Sequence, residues 1–178
     1  MTSPAPRNDP IPTIKAKALS MRRTAVGRVH AAQMGHPGGD FSAIDILATR
    51  YFGVLRYDPK RPDWPDRDRV IRSKRHATGA LYTALCAAGY FPEDWLASHM
   101  QPRSLRNGHP NRKYLPEAET NTGPLGHDFP VAVGVAIAGA ISARSCRTFV
   151  LTGDANNRTA RTGKRRWNRA TANRTICR

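Results

Sequence analysis

The sequence predicts an α/β fold: an open parallel sheet with helices on both faces. Two observations carry this prediction. Stretches with helical periodicity alternate along the chain with short apolar segments that have the length of strands. Such alternation is typical of βαβ units, in which helices cover a parallel sheet. In addition, the last apolar segment, residues 148–152, ends in Gly153-Asp154, and ligands of open α/β sheets bind beyond the carboxyl ends of the strands.

The first two helices are predicted from their apolar spacing. Residues 11–34 are compatible with a helix that ends at Gly35, because Pro37 opposes its continuation. Residues 35–39 (Gly-His-Pro-Gly-Gly) are expected to form a rigid turn, after which Ser42 is expected to cap the second helix. Apolar residues at i, i+3, i+4, i+7, i+8 and i+11 give that helix one buried face. They are Ile44, Leu47, Ala48, Tyr51, Phe52 and Leu55.

The remaining elements follow from proline and glycine positions and from apolar runs. They are expected as a loop over 57–68, a strand over 69–72, a helix over 76–89, a helix opened by Pro92, a polar loop over 101–122, a tight turn over 123–126, a small-residue helix over 131–144 and a buried strand over 148–152.

Charge is distributed unevenly along the 178 residues. The formal net charge is +16, and half of it lies in residues 155–178, which hold eight of the 29 Lys and Arg and no acidic residue. A polar, basic segment of this kind is typically solvated or disordered. One alternative stays open at this point: a non-enzymatic binding protein that uses this tail for nucleic acid or acidic partners, in a salt-dependent way.

Cysteine usage and hydropathy indicate a soluble, cytoplasmic protein. Cys86, Cys146 and Cys177 show no CxxC spacing and are odd in number, which argues against a disulfide framework or a zinc site. Residues 1–12 are expected to form a flexible segment without the apolar core of a secretory leader. No apolar run approaches the ~20 residues of a membrane span.

Several polar residues indicate a binding site by their chemistry. Asp154 follows an apolar strand, where a carboxylate can hold Mg²⁺ or Ca²⁺ together with substrate phosphates, or can cap the next helix. His36, His76 and His109 lie in or beside turns, and His36 and His109 both stand in Gly-His-Pro. Imidazoles placed there can bind sugar hydroxyls or phosphate and can move protons near neutral pH.

A series of motifs makes the interpretation specific. In order, they are Gly35-His36-Pro37-Gly38-Gly39, the run from Trp64 to Ile71, Ser73-Lys74-Arg75-His76, Ala80-Leu81-Tyr82, Gly108-His109-Pro110, residues 122–126 (Thr-Gly-Pro-Leu-Gly) and Gly153-Asp154. Together they resemble the N-terminal, diphosphate-binding domain of transketolase over Lys15 to Asp154. The run from Trp64 to His76 favours transketolase over deoxyxylulose-phosphate synthase, another thiamine enzyme.

The resemblance implies a thiamine diphosphate-binding fold and a role for each motif residue. His36 and His109 would contact the sugar substrate, and His76 would lie near the cofactor diphosphate. Asp154 would bind the divalent metal, Mg²⁺ or Ca²⁺. Gly123, Pro124 and Leu125 would line the thiamine.

The implied activity is transfer of a two-carbon ketol group between sugar phosphates, with the cofactor carrying the difficult chemistry. In the family the thiamine lies between this domain and a pyrimidine-binding domain, usually across a dimer. That second domain can also be a separate C-terminal subunit.

Two residues near the expected site depart from the family pattern. Arg75 stands where the family has glycine before His76, so the turn is expected to be strained or the approach to the cofactor narrowed. Asp128 replaces a common glycine and is expected to add a negative charge close to the cofactor.

The third departure follows Asp154. The family continues with Gly-Glu, a helix containing Trp-Glu-Ala, and a later asparagine that binds the metal, whereas here Ala155 begins the basic tail. Restoring one G after the Asp154 codon allows the tail to encode G-E-Q-Q-D-G-S-N-W-E-A-A-M. We therefore predict a frameshifted tail over 155–178, a partial domain over 13–154 that is incomplete at its C-terminal side, and no activity of this polypeptide by itself.

Overall fold

The predicted α/β class is confirmed by the structure. The computed structural model describes residues 4–74, 77–101, 103–106, 108–115, 118–121 and 127–153. The elements in this part of the chain are α1 (Ile11–Ala32), α2 (Pro37–Gly53), β1 (Arg69–Arg72), α3 (Thr78–Ala87), a 3₁₀ helix (Glu93–Ser98), α4 (Asp128–Ile141) and β2 (Thr148–Leu151).

The two strands form a parallel pair with helices on both faces, as predicted. Val70 is in register with Phe149, and Ile71 with Val150. Because successive side chains of a strand point to opposite faces, Ile71 and Val150 pack on α4, where Phe129 completes a small cluster. Val70 and Phe149 point to the other face and pack against the larger core.

That larger core is built by α1, α2 and α3. All six apolar residues predicted for the buried face of the second helix are buried, from Ile44 to Leu55. Helix α3 is enclosed more completely, since every residue from Thr78 to Leu85 is buried. Its sequence carries no charged residue, which is compatible with burial on all sides between α1, α2 and the sheet.

The connection between α1 and α2 differs from the prediction. Helix α1 ends at Ala32, and Gly35 adopts φ +144, where a Cβ would lie 2.8 Å from Val29 Cγ2. Helix α2 then begins at Pro37, with His36 as its N-cap residue. The predicted cap at Ser42 is wrong, because Ser42 lies inside the helix and donates to the Gly39 carbonyl at 2.9 Å. Proline suits the first helical position, so the helix starts within the expected turn.

The other elements follow the prediction with shifted ends. The small-residue helix begins at Asp128 and ends at Ile141, and Pro92 precedes a 3₁₀ helix. The described residues of 57–68 and 101–121 contain no helix or strand, as expected of loops. The turn predicted over 123–126 lies outside the described residues. Within the described part of the chain, no helix has the length and apolarity required to cross a membrane.

A buried carboxylate joins the loop before β1 to the start of β2. The Asp68 carboxylate accepts hydrogen bonds from Arg147 Nε at 3.1 Å, the Arg147 backbone N–H at 2.8 Å and the Arg56 backbone N–H at 2.9 Å. Burial by itself would raise the pKa of Asp68, but these hydrogen bonds outweigh it and the pKa is lowered. The ionised Asp68 carboxylate therefore holds the loop before β1 and the start of β2 together at the end of the sheet where both strands begin, which we call the amino edge.

Candidate functional site

The carboxyl edge of the sheet is where β1, β2, α3 and α4 meet. Beyond the last paired residues, the backbone N–H groups of Ser73 and Lys74 both donate to the Leu151 carbonyl, at 2.8 and 3.2 Å. The Arg72 guanidinium, at the end of β1, hydrogen-bonds the Ala77 carbonyl at the N-cap of α3. It also interacts electrostatically with Asp128, in the first turn of α4. Two helix N-termini therefore face the ends of two strands.

The start of α2 joins the same edge. Asp40, in the first turn of α2, is 1% exposed, and its Oδ1 accepts a hydrogen bond from the Ala80 N–H of α3 at 2.8 Å. Lys74 Nζ contacts Ser42 Oγ. Helix N-termini carry unpaired N–H groups and a partial positive charge. Three of them at one edge are suited to an anionic ligand.

His36 lies at this edge and is exposed. Its backbone carbonyl accepts the Asp40 N–H at 3.0 Å, and its side chain interacts electrostatically with the Asp40 carboxylate. The Gly-His-Pro spacing therefore places a solvent-accessible histidine directly before α2, at the start of the helix rather than at the end of a strand.

His109 is also exposed, in the loop after the 3₁₀ helix. The next residue, Pro110, is buried and shares a small cavity of about 20 Å³ with Arg72 and Leu81. The loop that carries His109 is thereby packed against the end of β1 and the beginning of α3, near the edge described above.

The other residues predicted for the site lie outside the described residues. They are His76, Gly123, Pro124, Leu125 and Asp154, together with the divergent Arg75. Their described neighbours lie at the carboxyl edge: Lys74 and Ala77 follow β1, and Gly153 follows β2. Within the described residues, no group of three or more His, Cys, Asp or Glu side chains could hold a metal ion.

Buried charges distinguish this edge from an ordinary surface. Arg72 is fully enclosed, and burial lowers its pKa to about 10, with Tyr82, Asp40 and Asp128 opposing the shift. Burial also lowers the pKa of Lys74, against the influence of Asp40. Burial raises the pKa of Asp40, although the Ala80 N–H and the nearby cations favour its charged form. At neutral pH Arg72 is therefore still a cation.

Asp128, the substitution expected to add a negative charge close to the cofactor, is buried and 2% exposed. Asp40, Arg72 and Lys74 also lie at this edge, but no sequence pattern had assigned them to the site. One signal was available for Arg72, because a charged residue directly follows the apolar pair Val70-Ile71 in a short strand.

The donors of this edge are of the kinds that bind a diphosphate. Arg72 and Lys74 supply cations, and α2, α3 and α4 begin here. Asp40 and Asp128 oppose an anion, so the fit depends on how strongly the cations are already neutralised.

Two cavities of about 400 Å³ lie elsewhere, one beside the second half of α3 and one beside Arg69 and Arg144 at the amino edge.

Comparison with known proteins agrees with this architecture. The family profile described as "Transketolase, thiamine diphosphate binding domain" matches residues 14–151. The chain is similar to an apulose-4-phosphate transketolase subunit of Actinobacillus succinogenes, with 46% identity over 79% of the chain and 50% of that protein. It is also similar to transketolase 2 of Escherichia coli K12, with 40% identity over 70% of the chain and 19% of that protein.

Solved structures give the same result. Transketolase from Campylobacter jejuni superposes with a TM-score of 0.82 at 30% identity, over 88% of this chain and 26% of that one. Transketolase from Leishmania mexicana gives 0.81 at 32% identity, over 85% and 24%. The chain spans about half the length of the apulose-4-phosphate transketolase relatives and a fifth of the longer transketolases. By sequence and by fold, the chain belongs to the transketolase family, in its thiamine diphosphate-binding domain.

Proposed function

We propose that this chain supplies the diphosphate-binding half of a transferase that moves a two-carbon ketol group between sugar phosphates. One observation carries the proposal. The family match over residues 14–151 coincides with a structure in which the starts of three helices, the ends of both strands and the side chains of Arg72 and Lys74 meet at one edge. That edge is where open α/β sheets bind their ligands.

Each residue of the site has a proposed task. Thiamine diphosphate, when bound, supplies the carbanion-stabilising chemistry. His76 would hold its diphosphate, with Arg72 and Lys74 balancing the negative charge. Asp154 would bind the divalent metal, Mg²⁺ or Ca²⁺, which would offset the negative charge of the phosphates. The segment Gly123, Pro124 and Leu125 would line the thiamine.

His36 and His109 are proposed to act on the sugar. Both histidines are exposed, on segments that the contacts of Asp40 and Pro110 hold against the carboxyl edge. A neutral imidazole can accept a hydroxyl proton and return it, and its N–H can orient the sugar by hydrogen bonding. Their contribution would be substrate binding and proton transfer at the sugar hydroxyls.

We further propose that a pyrimidine-binding partner completes the site. Two of the similar proteins are named as one subunit of an apulose-4-phosphate transketolase, which supports a division of the enzyme between two polypeptides and dimeric assembly. Cys86 and Cys146 are free thiols, in keeping with the reducing cytoplasm that we propose as its location.

Residues 155–178 are proposed to contribute no ligand, because we infer that they are read in a shifted frame. The family match stops at Leu151, three residues before Asp154, and the tail carries eight basic residues and no acidic one. The 178-residue polypeptide would then lack a metal ligand and would be inactive alone. Sequencing the gene across the Asp154 codon tests this, and the absence of any single-base change that opens a transketolase-like frame would refute it.

The activity is tested with the restored frame and the partner subunit together. We expect thiamine diphosphate-dependent and Mg²⁺-dependent ketol transfer, and a fall in kcat/KM of about 100-fold for His36→Ala and for His109→Ala, since a positioned acid–base group contributes on the order of 10²–10⁴. His30→Ala is the matched control, because His30 is exposed at the end of α1, and it should retain full activity.

Three outcomes would contradict parts of the proposal. Full activity in both site variants would exclude the two histidines from the reaction. Tight thiamine diphosphate binding by the chain with its basic tail, measured alone by calorimetry, would refute the claim that the tail has removed a ligand. Salt-sensitive DNA binding that survives deletion of residues 155–178 would instead favour a nucleic-acid role.

A further inference from the structure

The start of α3 is capped by a residue of a different helix. Its own N-cap residue, Ala77, makes no side-chain cap hydrogen bond. Asp40 of α2 takes that place, since its Oδ1 accepts the Ala80 N–H at 2.8 Å. Space for this carboxylate exists because residue 79 is glycine: a Cβ there would lie 2.6 Å from Asp40 Oδ2. The carboxylate is therefore closely fitted to the first turn of α3.

The same turn and the start of α2 also engage two cations. Arg72, which is 5% exposed, donates to the Ala77 carbonyl, and Lys74 Nζ contacts Ser42 Oγ, two residues beyond Asp40. Both cations interact electrostatically with the Asp40 carboxylate. Asp40 thus places a carboxylate next to two cations and at a helix N-terminus, a setting that favours a negative charge.

We propose that Asp40 is a built-in counter-ion that weakens and sets the affinity of this edge for a diphosphate ligand. The inference rests on the proposed function, in which the edge binds the diphosphate of a cofactor. Asp40 is a positioning and specificity-determining residue. It orders the start of α3 and neutralises Arg72 and Lys74, so an arriving polyanion shares these cations with a carboxylate already in place.

The test compares Asp40→Asn with the unaltered full chain, with inorganic pyrophosphate as the probe in calorimetry. The asparagine Oδ1 can still accept the Ala80 N–H, and the side-chain volume is nearly unchanged, so the charge is the main change. We expect pyrophosphate affinity to rise about fivefold, because a close carboxylate–phosphate repulsion disappears. The basic tail is identical in all variants, so a difference in affinity between them reports on the substituted residue.

Asp45→Asn is the matched control. It removes one negative charge from the same helix, but Asp45 is exposed and pairs with Arg22. We expect its pyrophosphate affinity to stay within about twofold of the unaltered chain, because exposed charges are screened. Asp40→Ala, which also removes the acceptor, should accelerate hydrogen exchange of the Ala80 amide, whereas Asp40→Asn should leave this amide protected.

The outcomes separate the inference from the function on which it rests. Unchanged or lower pyrophosphate affinity in Asp40→Asn, with the Ala80 amide still protected, overturns the counter-ion role and leaves the diphosphate site standing. Absence of pyrophosphate binding in every variant overturns the counter-ion role. Because the unaltered chain is expected to have lost a metal ligand, the proposed function is then decided by thiamine diphosphate binding in the chain with the restored frame. A fivefold gain for pyrophosphate, accompanied by no thiamine diphosphate binding in the restored enzyme, supports the counter-ion and contradicts the proposed function.

Discussion

The amino edge of the sheet contains the buried Asp68, and the carboxyl edge contains the buried Asp40 and Asp128. Asp68 and Asp40 differ in how completely their charge is compensated. Asp68 at the amino edge is 3% exposed and receives hydrogen bonds from Arg147 and Arg56, so the pKa of its carboxyl is lowered. Asp40 at the carboxyl edge is 1% exposed and accepts the Ala80 N–H. There burial dominates, and the pKa of Asp40 is raised although Arg72, His36 and Lys74 are near.

The difference shows which edge is optimised for stability. A carboxylate that is fully hydrogen-bonded to cations stays ionised and ties two segments together. A carboxylate whose charge is incompletely compensated is a candidate for a functional site, because such sites collect groups with perturbed pKa values. At the amino edge a compensated carboxylate joins two segments of the fold, whereas at the carboxyl edge the charge of the buried Asp40 is compensated less completely.

The largest expected effect is a loss of stability on removing the Asp68 carboxylate at the amino edge. Asp68→Ala should lower the free energy of unfolding by about 3 kcal/mol, because it leaves Arg147 and the Arg56 and Arg147 N–H groups without their acceptor. Urea unfolding followed by circular dichroism measures this loss. Asp66→Ala is the control: Asp66 pairs with Arg144 at 3.5 Å on the surface, and such pairs contribute about 0–1 kcal/mol. Equal losses in the two variants would contradict the comparison.

Asp68 should also contribute to acid sensitivity. Because the pKa of Asp68 is lower in the folded chain than in the unfolded one, its contribution is complete at neutral pH. That contribution is lost as the pH falls below the ordinary carboxyl range and through the lowered pKa. The difference in stability between the unaltered chain and Asp68→Ala should therefore shrink on acidification. A difference that grows towards low pH would refute this assignment.

The second prediction concerns His99, a buried titratable group that contacts α3 without a carboxylate partner among the described residues. His99 Nε2 lies 3.4 Å from Thr78 Oγ1, and its ring packs edge-on against Tyr82. Burial, assisted by the charge of Arg28, lowers the pKa of His99 to about 4. The unfolded chain therefore takes up a proton near pH ~6.5 that the folded chain does not bind.

The stabilisation due to neutral His99 is present above about pH 6.5 and is lost as the pH falls towards 4. Through His99, the free energy of unfolding of the unaltered chain should fall by on the order of 2 kcal/mol between about pH 7 and about pH 5. This contribution should be absent from His99→Phe. Urea unfolding at the two pH values measures it. His30→Gln, at an exposed position, should retain the full pH dependence; an identical slope in His99→Phe would exclude His99 as its source.

The smallest expected effect probes the fit of Asp40 against α3. Gly79→Ala should lower the free energy of unfolding by about 1 kcal/mol, since its Cβ would meet Asp40 Oδ2 at 2.6 Å and the overpacking outweighs the gain in helix propensity. Gly134→Ala, in α4, has nothing within 4 Å of the added Cβ and should raise stability by about 0.5–1 kcal/mol. Thermal unfolding of both variants measures the contrast, and a stabilising Gly79→Ala would show that Asp40 is not closely held.

The elements of the fold were largely predictable, because they depend on local patterns. The buried face of α2 follows from a repeat that matches the helical period, and the strand pair follows from short apolar segments. The start of α2 was not predicted correctly. Ser42 has the chemistry of a cap, but Pro37 allows the helix to begin earlier, and no local signal ranks these two possibilities.

The site was predictable to the extent that its residues lie in recognisable motifs. His36 and His109 were identified from Gly-His-Pro, and the structure holds both loops at the carboxyl edge. The roles of all the predicted site residues remain predictions: His36, His76, His109, Gly123, Pro124, Leu125 and Asp154. Asp40 and Arg72 were missed because their importance comes from burial against α3 rather than from their immediate neighbours.

The sequence by itself determined the α/β class, the family and the identity of the motif residues, because periodicity and motif order are properties of the chain. Only the tertiary structure decided which charges are compensated. Asp40 and Asp68 are both aspartates, yet the pKa of one is raised and that of the other lowered. Burial and hydrogen bonding set this outcome, and the hydrogen bonds join residues that are 12 to 79 positions apart.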